Sequence, residues 1–144
     1  MFGVLKFALV AAGFLHLVPL LAGLAVPRVL RWDRDLNKVD PLTRQLIWVH
    51  GGFIVLTVIA FGMITLTASE SMLQGTPLAV GIAAFIGLFW LLRLLIQLFC
   101  FDPHPWLTNR FRKVGYRTLT FVFAYFSLVY FVTAGFNLAL IWQS

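Results

Sequence analysis

Acidic residues are scarce in this chain, and none of them stands inside an apolar run. The five are Asp33, Asp35, Asp40, Glu70 and Asp102. That distribution excludes the paired intramembrane carboxylates on which proton relays are built. Cysteine is limited to Cys100, which rules out an internal disulfide and any cysteine-built zinc or iron–sulfur site. Its surroundings suit a small apolar filler in a helix. HExxH, a glycine-rich phosphate loop and a serine elbow are all missing, so covalent and metal-hydrolytic catalysis have no residues to carry them. No catalytic residue and no metal site are expected.

What the chain has in excess is apolar length. Of its 144 residues 61% are hydrophobic, where a soluble domain has about half, and the mean hydropathy is +0.94. Apolar stretches run from about Val4 to Val26, Leu46 to Ala68, Leu78 to Phe101 and Thr118 to Trp142, each near the roughly 20 residues that cross a bilayer as a helix. The expected fold is therefore all-α: an integral membrane four-helix bundle, with residues 1–144 forming a single transmembrane domain. The first stretch runs straight into Pro27, Arg28 and Arg31 without a small-residue cleavage site, so it is expected to remain as an anchor.

The net charge of +6 is concentrated. Arg28, Arg31, Arg34, Lys38 and Arg44 separate the first two spans, and Arg110, Arg112, Lys113 and Arg117 separate the last two. The intervening SESMLQGTP has no basic residue, and the N-terminal stretch has only Lys6. Positive-inside bias then places both basic loops in the cytoplasm, with the N-terminus and C-terminus outside. The localisation expected is the bacterial cytoplasmic (inner) membrane, crossed several times. Basic clusters between apolar runs fit an anionic membrane face, so membrane lipids are expected partners and nucleic acid is not.

Local signals punctuate the loops. Asp40 followed by Pro41 fits an N-cap and first helical position. Pro103 and Pro105 end the third helix, and Thr108 is placed to cap the fourth. Trp32, Trp48, Trp106 and Trp142 fall near span ends, where indoles favour the headgroup region. Ala8 with Ala12, Ala83 with Gly87, and Gly135 with Ala139 are small-xxx-small pairs that let membrane helices approach closely.

A few polar residues interrupt this pattern. Arg93 lies eight residues before Phe101, about 12 Å from the cytoplasmic end of its helix. Helical side chains lean toward the helix N-terminus, here the outer side, which works against snorkelling to the nearer surface. With no carboxylate inside any span, its guanidinium must be met by Gln97 one turn along, by neutral groups of other helices, or by something outside the chain. A site composed of Arg93, Gln97, Arg44, Gln45 and His50 is expected to hold a lipid, a quinone-like molecule or a partner helix. That points to a non-enzymatic accessory subunit or ligand-binding module, associated with other membrane subunits or with itself. Thr57, Tyr125, Ser127, Tyr130 and Asn137 either join that interior or bond to backbone carbonyls.

His16 and His50 stand on separate spans, and His50 is followed by Gly51 and Gly52, which allow a planar group to approach. The alternative is a membrane redox protein with haem b held axially by His16 and His50, although residue counting puts the two about 9 Å apart in depth. No other cofactor is expected.

RQLIWVHGGFI (Arg44 to Ile54) and FWLLRLLIQLFCFD (Phe89 to Asp102) resemble the R-Q-x-x-W-V-H and F-W-x-x-R-x-x-x-Q-x-F-x-F-D elements of a family of uncharacterised bacterial four-helix inner-membrane proteins. The resemblance carries no activity; it implies that Arg44, Gln45, His50, Arg93 and Gln97 belong together. More faintly, AGLAVPRVL (Ala22 to Leu30) after His16 is similar to the first helix of the small membrane protoporphyrinogen oxidases. That would imply haem b at His16 and an oxidase activity, but RWDRD stands where that family continues with aromatic-Tyr-His.

Overall fold

A computed structural model describes residues 1–143 and shows no strand among them. The first long segment, Phe2–Val29, is interrupted at His16 and divides into α1 (Phe2–Leu15) and α2 (Leu17–Val29). Pro19 explains the break, because it lacks the N–H that the Leu15 carbonyl would otherwise accept. Beyond Leu30 the backbone turns through Arg31 into a single helical turn, α3 (Trp32–Asp35), and a 3-10 turn (Leu36–Lys38). Three long helices follow: α4 (Pro41–Thr67), α5 (Pro77–Phe99) and α6 (Arg110–Gln143). The four segments are long and apolar enough to cross a membrane, as in a multi-pass membrane protein.

Capping chemistry sets the starts. Asp40 accepts from the backbone N–H of Leu42 at 3.0 Å and Thr43 at 3.3 Å, and Pro41 occupies the first helical position, as expected. Thr76 and Pro77 do the same for α5, with Thr76 accepting from Ala79. The cap expected at Thr108 belongs instead to Asn109, whose side chain accepts from Arg112 N–H at 3.1 Å. Consequently α6 starts at Arg110, about two turns ahead of the apolar stretch, and its four basic residues are helical rather than loop. At the other boundary α5 ends at Phe99, before Pro103 is reached, which leaves Cys100 exposed rather than packed as filler.

α5 and α6 form the closest pair, an antiparallel hairpin, and α1 packs against both α4 and α6. Small residues allow this at two places. A Cβ on Gly87 would meet Tyr130 Cβ at 3.3 Å, and one on Gly62 would meet His16 Cβ at 3.1 Å. Gly135 and Ala139, by contrast, are exposed and mark no internal contact. At the centre lie Leu9, Ala12, Trp90, Phe126 and Tyr130, all buried.

Interior polar groups are matched to one another. Thr65 and Tyr130 share a hydrogen bond of 2.5 Å between α4 and α6, and Tyr125 donates to the Ala8 carbonyl at 2.9 Å. Ser127, Thr133 and Thr57 bond back to the carbonyl four residues earlier. Asn137 clamps the loop between α4 and α5: it donates to Met72 O at 2.6 Å and accepts from Gly75 N–H at 2.7 Å. Lys6 pairs with Glu70 at the same end, holding the Glu70 carboxyl below its usual 4.5 through the hydrogen bond and then the charge. Among the described residues no buried side-chain polar atom lacks a partner.

The apolar surplus faces outward. At most 44% of any of the four apolar windows is buried in the chain, and Phe7, Phe85, Phe121 and Trp142 are exposed. Such a surface matches hydrocarbon rather than water.

Candidate functional site

One stripe of α5 carries its packing surface: Ala79, Ala83, Ile86, Trp90 and Gln97 recur at helical spacing, and all are buried. Arg93 occupies the same stripe, between Trp90 and Gln97, yet it is exposed. Gln97, farther along the stripe, is buried against α6 through Thr120 and Tyr116, and no such contact reaches Arg93. α4 meets α5 where the Phe61 ring packs edge-on against Phe85 and Phe89, with centroids 6.0 and 5.1 Å apart. Arg93 lies one turn past Phe89, toward the basic end.

The face of α4 that continues from Phe61 toward the basic end carries Thr57, Ile54 and His50 at helical spacing. Ile54 and His50 are exposed. His50 Nδ1 lies 2.8 Å from the Leu46 carbonyl of its own helix. His50 lies seven residues before Thr57 on α4, about 10 Å nearer the basic end. No hydrogen bond or ion pair to the Arg93 guanidinium is present among the described residues.

The five residues expected to act together are therefore separated. Gln97 is held inside the α5–α6 hairpin, donating to Thr120 Oγ1 at 2.6 Å and to the Tyr116 carbonyl at 3.5 Å, while Tyr116 donates to the Gln97 carbonyl at 2.9 Å. Arg44 donates to Asn37 Oδ1 at 2.8 Å and ties the start of α4 to the preceding turn. Gln45 is exposed on another flank of α4. Arg93 and His50 are both exposed, on α5 and α4 respectively.

The haem ligand pair does not fit these residues. His16 is buried, with Nδ1 2.7 Å from the Ala12 carbonyl and Nε2 3.3 Å from the Trp90 indole nitrogen. An indole N–H only donates and a carbonyl only accepts, so Nδ1 carries the proton and the Nε2 lone pair is occupied. Phe126 stacks on the ring at 4.3 Å, closing one face. An axial ligand needs a lone pair directed into open space, and His16 has none.

A second concavity escaped the sequence reasoning. α2, α3 and the first half of α4 enclose a groove of about 1060 Å3 toward the basic end. Gly23, Leu24, Gly51, Gly52 and Val55 form its apolar part, and Arg28, Arg31 and Arg34 its rim, with Trp32 and Trp48 in edge-to-face contact at 5.4 Å. The signal was present in arginines at three-residue intervals and a Gly-Gly pair on the facing helix. Reading the tryptophans simply as interface residues concealed it.

No known protein family, curated protein or solved structure matches this chain.

Proposed function

We propose that the chain is a non-enzymatic accessory subunit of the bacterial inner membrane, and that Arg93 docks a transmembrane helix of a partner that carries a carboxylate. Its basic loops face the cytoplasm and its termini the outside, as the charge asymmetry requires. One observation supports the docking role: Arg93 stands unpaired on a packing stripe that the chain itself leaves uncovered. It is six residues from the end of α5 at Phe99, about 9 Å, and its side chain leans away from that end. An arginine at such depth is costly unless it is paired. A second copy of the chain cannot supply the acid, because all five carboxylates lie in loops or at helix ends.

The test uses a labelled Leu-rich transmembrane peptide with a single Asp in its cytoplasmic half, mixed with the purified protein in bilayers and read by energy transfer. The Asp peptide should associate about tenfold more tightly than its all-Leu counterpart, as one interhelical polar contact warrants. Arg93→Leu should erase the difference. Arg93→Glu should transfer the preference to a peptide carrying Lys. Equal association of the Asp and Leu peptides with the wild-type protein refutes the docking role, as does a preference unchanged in Arg93→Leu.

A further inference from the structure

We infer that the groove between α2, α3 and α4 is a binding site for one anionic phospholipid of the cytoplasmic leaflet. None of its lining residues belongs to α5, so it is separate from Arg93. Its size, about 1060 Å3, lies just above the range for small-molecule sites, roughly 300 to 1000 Å3. Its polarity runs in one direction. α2 proceeds from Gly23 and Leu24 to Arg28 over about 8 Å, and the antiparallel α4 runs from Trp48 back to Val55. The deep end is therefore apolar and the mouth cationic, in the same order as acyl chain and phosphate in a leaflet.

The charge at the mouth is uncompensated. Arg28, Arg31 and Arg34 enter no ion pair among the described residues; the pairs present are Lys6 with Glu70 and Lys38 with Asp35. Asp33 is the one acid in the lining, so the mouth keeps a net charge of about +2 from three arginines and one aspartate. Planar guanidiniums match phosphate oxygens with paired hydrogen bonds, which makes arginine suited to this chemistry. The turn that presents them is held in an unfavourable conformation: Arg31 has φ 53° and ψ 49°, the left-handed region, and it is the one non-glycine residue with positive φ among those described. The floor is also open to an occupant. A Cβ at Gly23 or Gly52 would meet nothing within 4 Å.

Tryptophan quenching tests the site. In a variant with Trp106 and Trp142 replaced by Phe, which keeps Trp32, Trp48 and the buried Trp90, dibrominated phosphatidylglycerol at low mole fraction should quench at least threefold more strongly than dibrominated phosphatidylcholine. Arg28→Gln, Arg31→Asn and Arg34→Gln together should remove that selectivity. Gly52→Phe, which fills the floor where space exists, should remove it with all three charges intact. Replacing Arg110, Arg112 and Lys113 by Gln should leave it unchanged; an equal loss there assigns the effect to surface charge and overturns the site. Displacement by millimolar glycerol 3-phosphate overturns the lipid in favour of a soluble phosphate compound. A change in oligomeric mass in the arginine variant, without selective quenching in the parent, overturns it in favour of a second copy. The inference rests on insertion of the chain in the bilayer, which quenching of a variant keeping only Trp142 and the buried Trp90 by brominated phosphatidylcholine reports separately.

Discussion

Replacing Asn137 by Ala should loosen the loop between α4 and α5 before it affects anything else. Asn137 is fully buried, and its amide reaches Met72 O at 2.6 Å and Gly75 N–H at 2.7 Å across the loop, as well as the Thr133 carbonyl at 2.8 Å on its own helix. The Thr133 carbonyl keeps its helical partner, so its loss matters little. Each of the other two bonds contributes about 1 kcal/mol net, and a loop group left unpaired adds about 1 kcal/mol or more. The expected cost is about 2 to 3 kcal/mol, a roughly 30- to 150-fold shift in the unfolding equilibrium. Reversible unfolding in mixed detergent micelles measures it, and amide exchange at Gly75 should accelerate first. Asn137→Asp should cost at least as much, because a carboxylate can accept from Gly75 but has nothing to donate to Met72. A loss below about 0.5 kcal/mol for Ala, or full retention of stability by Asp, would show that Asn137 is not the clamp described.

Three other outcomes follow from the same contacts. Gly62→Ala places a methyl 3.1 Å from His16 Cβ and 3.5 Å from the Gly13 carbonyl, and overpacking of this kind should cost about 1 to 3 kcal/mol in thermal unfolding. Gln97→Leu removes the bonds to Thr120 and Tyr116 while leaving the backbone acceptor for the Tyr116 hydroxyl, so a loss of about 1 kcal/mol is expected in the same measurement. The Lys6–Glu70 pair makes stability depend on pH: Glu70 is depressed in the folded state, so its contribution is present above 4.5 and disappears as pH falls through the lower folded value. A melting-temperature series from pH 7 to 3 should therefore be flatter in Glu70→Gln than in the parent.

The four long helices were legible because helix length and apolarity are local properties, and Asp40–Pro41 capping is local too. The break at His16 was less visible, since a proline in an apolar run becomes a break only once the chain has a packing reason to bend there. Arg93 and Gln97 share a face, as their spacing requires, but Gln97 meets Thr120 and Tyr116 of α6 and Arg93 stays exposed, a difference that only tertiary packing decides. His16 looked like a ligand because a sequence lists donors without their partners. The Trp90 indole that occupies it is 74 residues away. The groove was hidden for a related reason: its walls come from two spans and a turn that individually look like ordinary membrane boundary.

The interruption at His16 also divides the molecule mechanically. A helix bends most easily where a backbone hydrogen bond is already missing, as in the turn before Pro19 and again before Pro27. On one side α1 and its capping His16 are held to α4, α5 and α6 through Gly62, Trp90 and Phe126. On the other, α2 and α3 form a short arm that closes over the Gly51–Gly52 face of α4. His16, at the joint, is held by three aromatic rings. The break therefore separates a segment fixed in the aromatic centre from one whose residues line the groove.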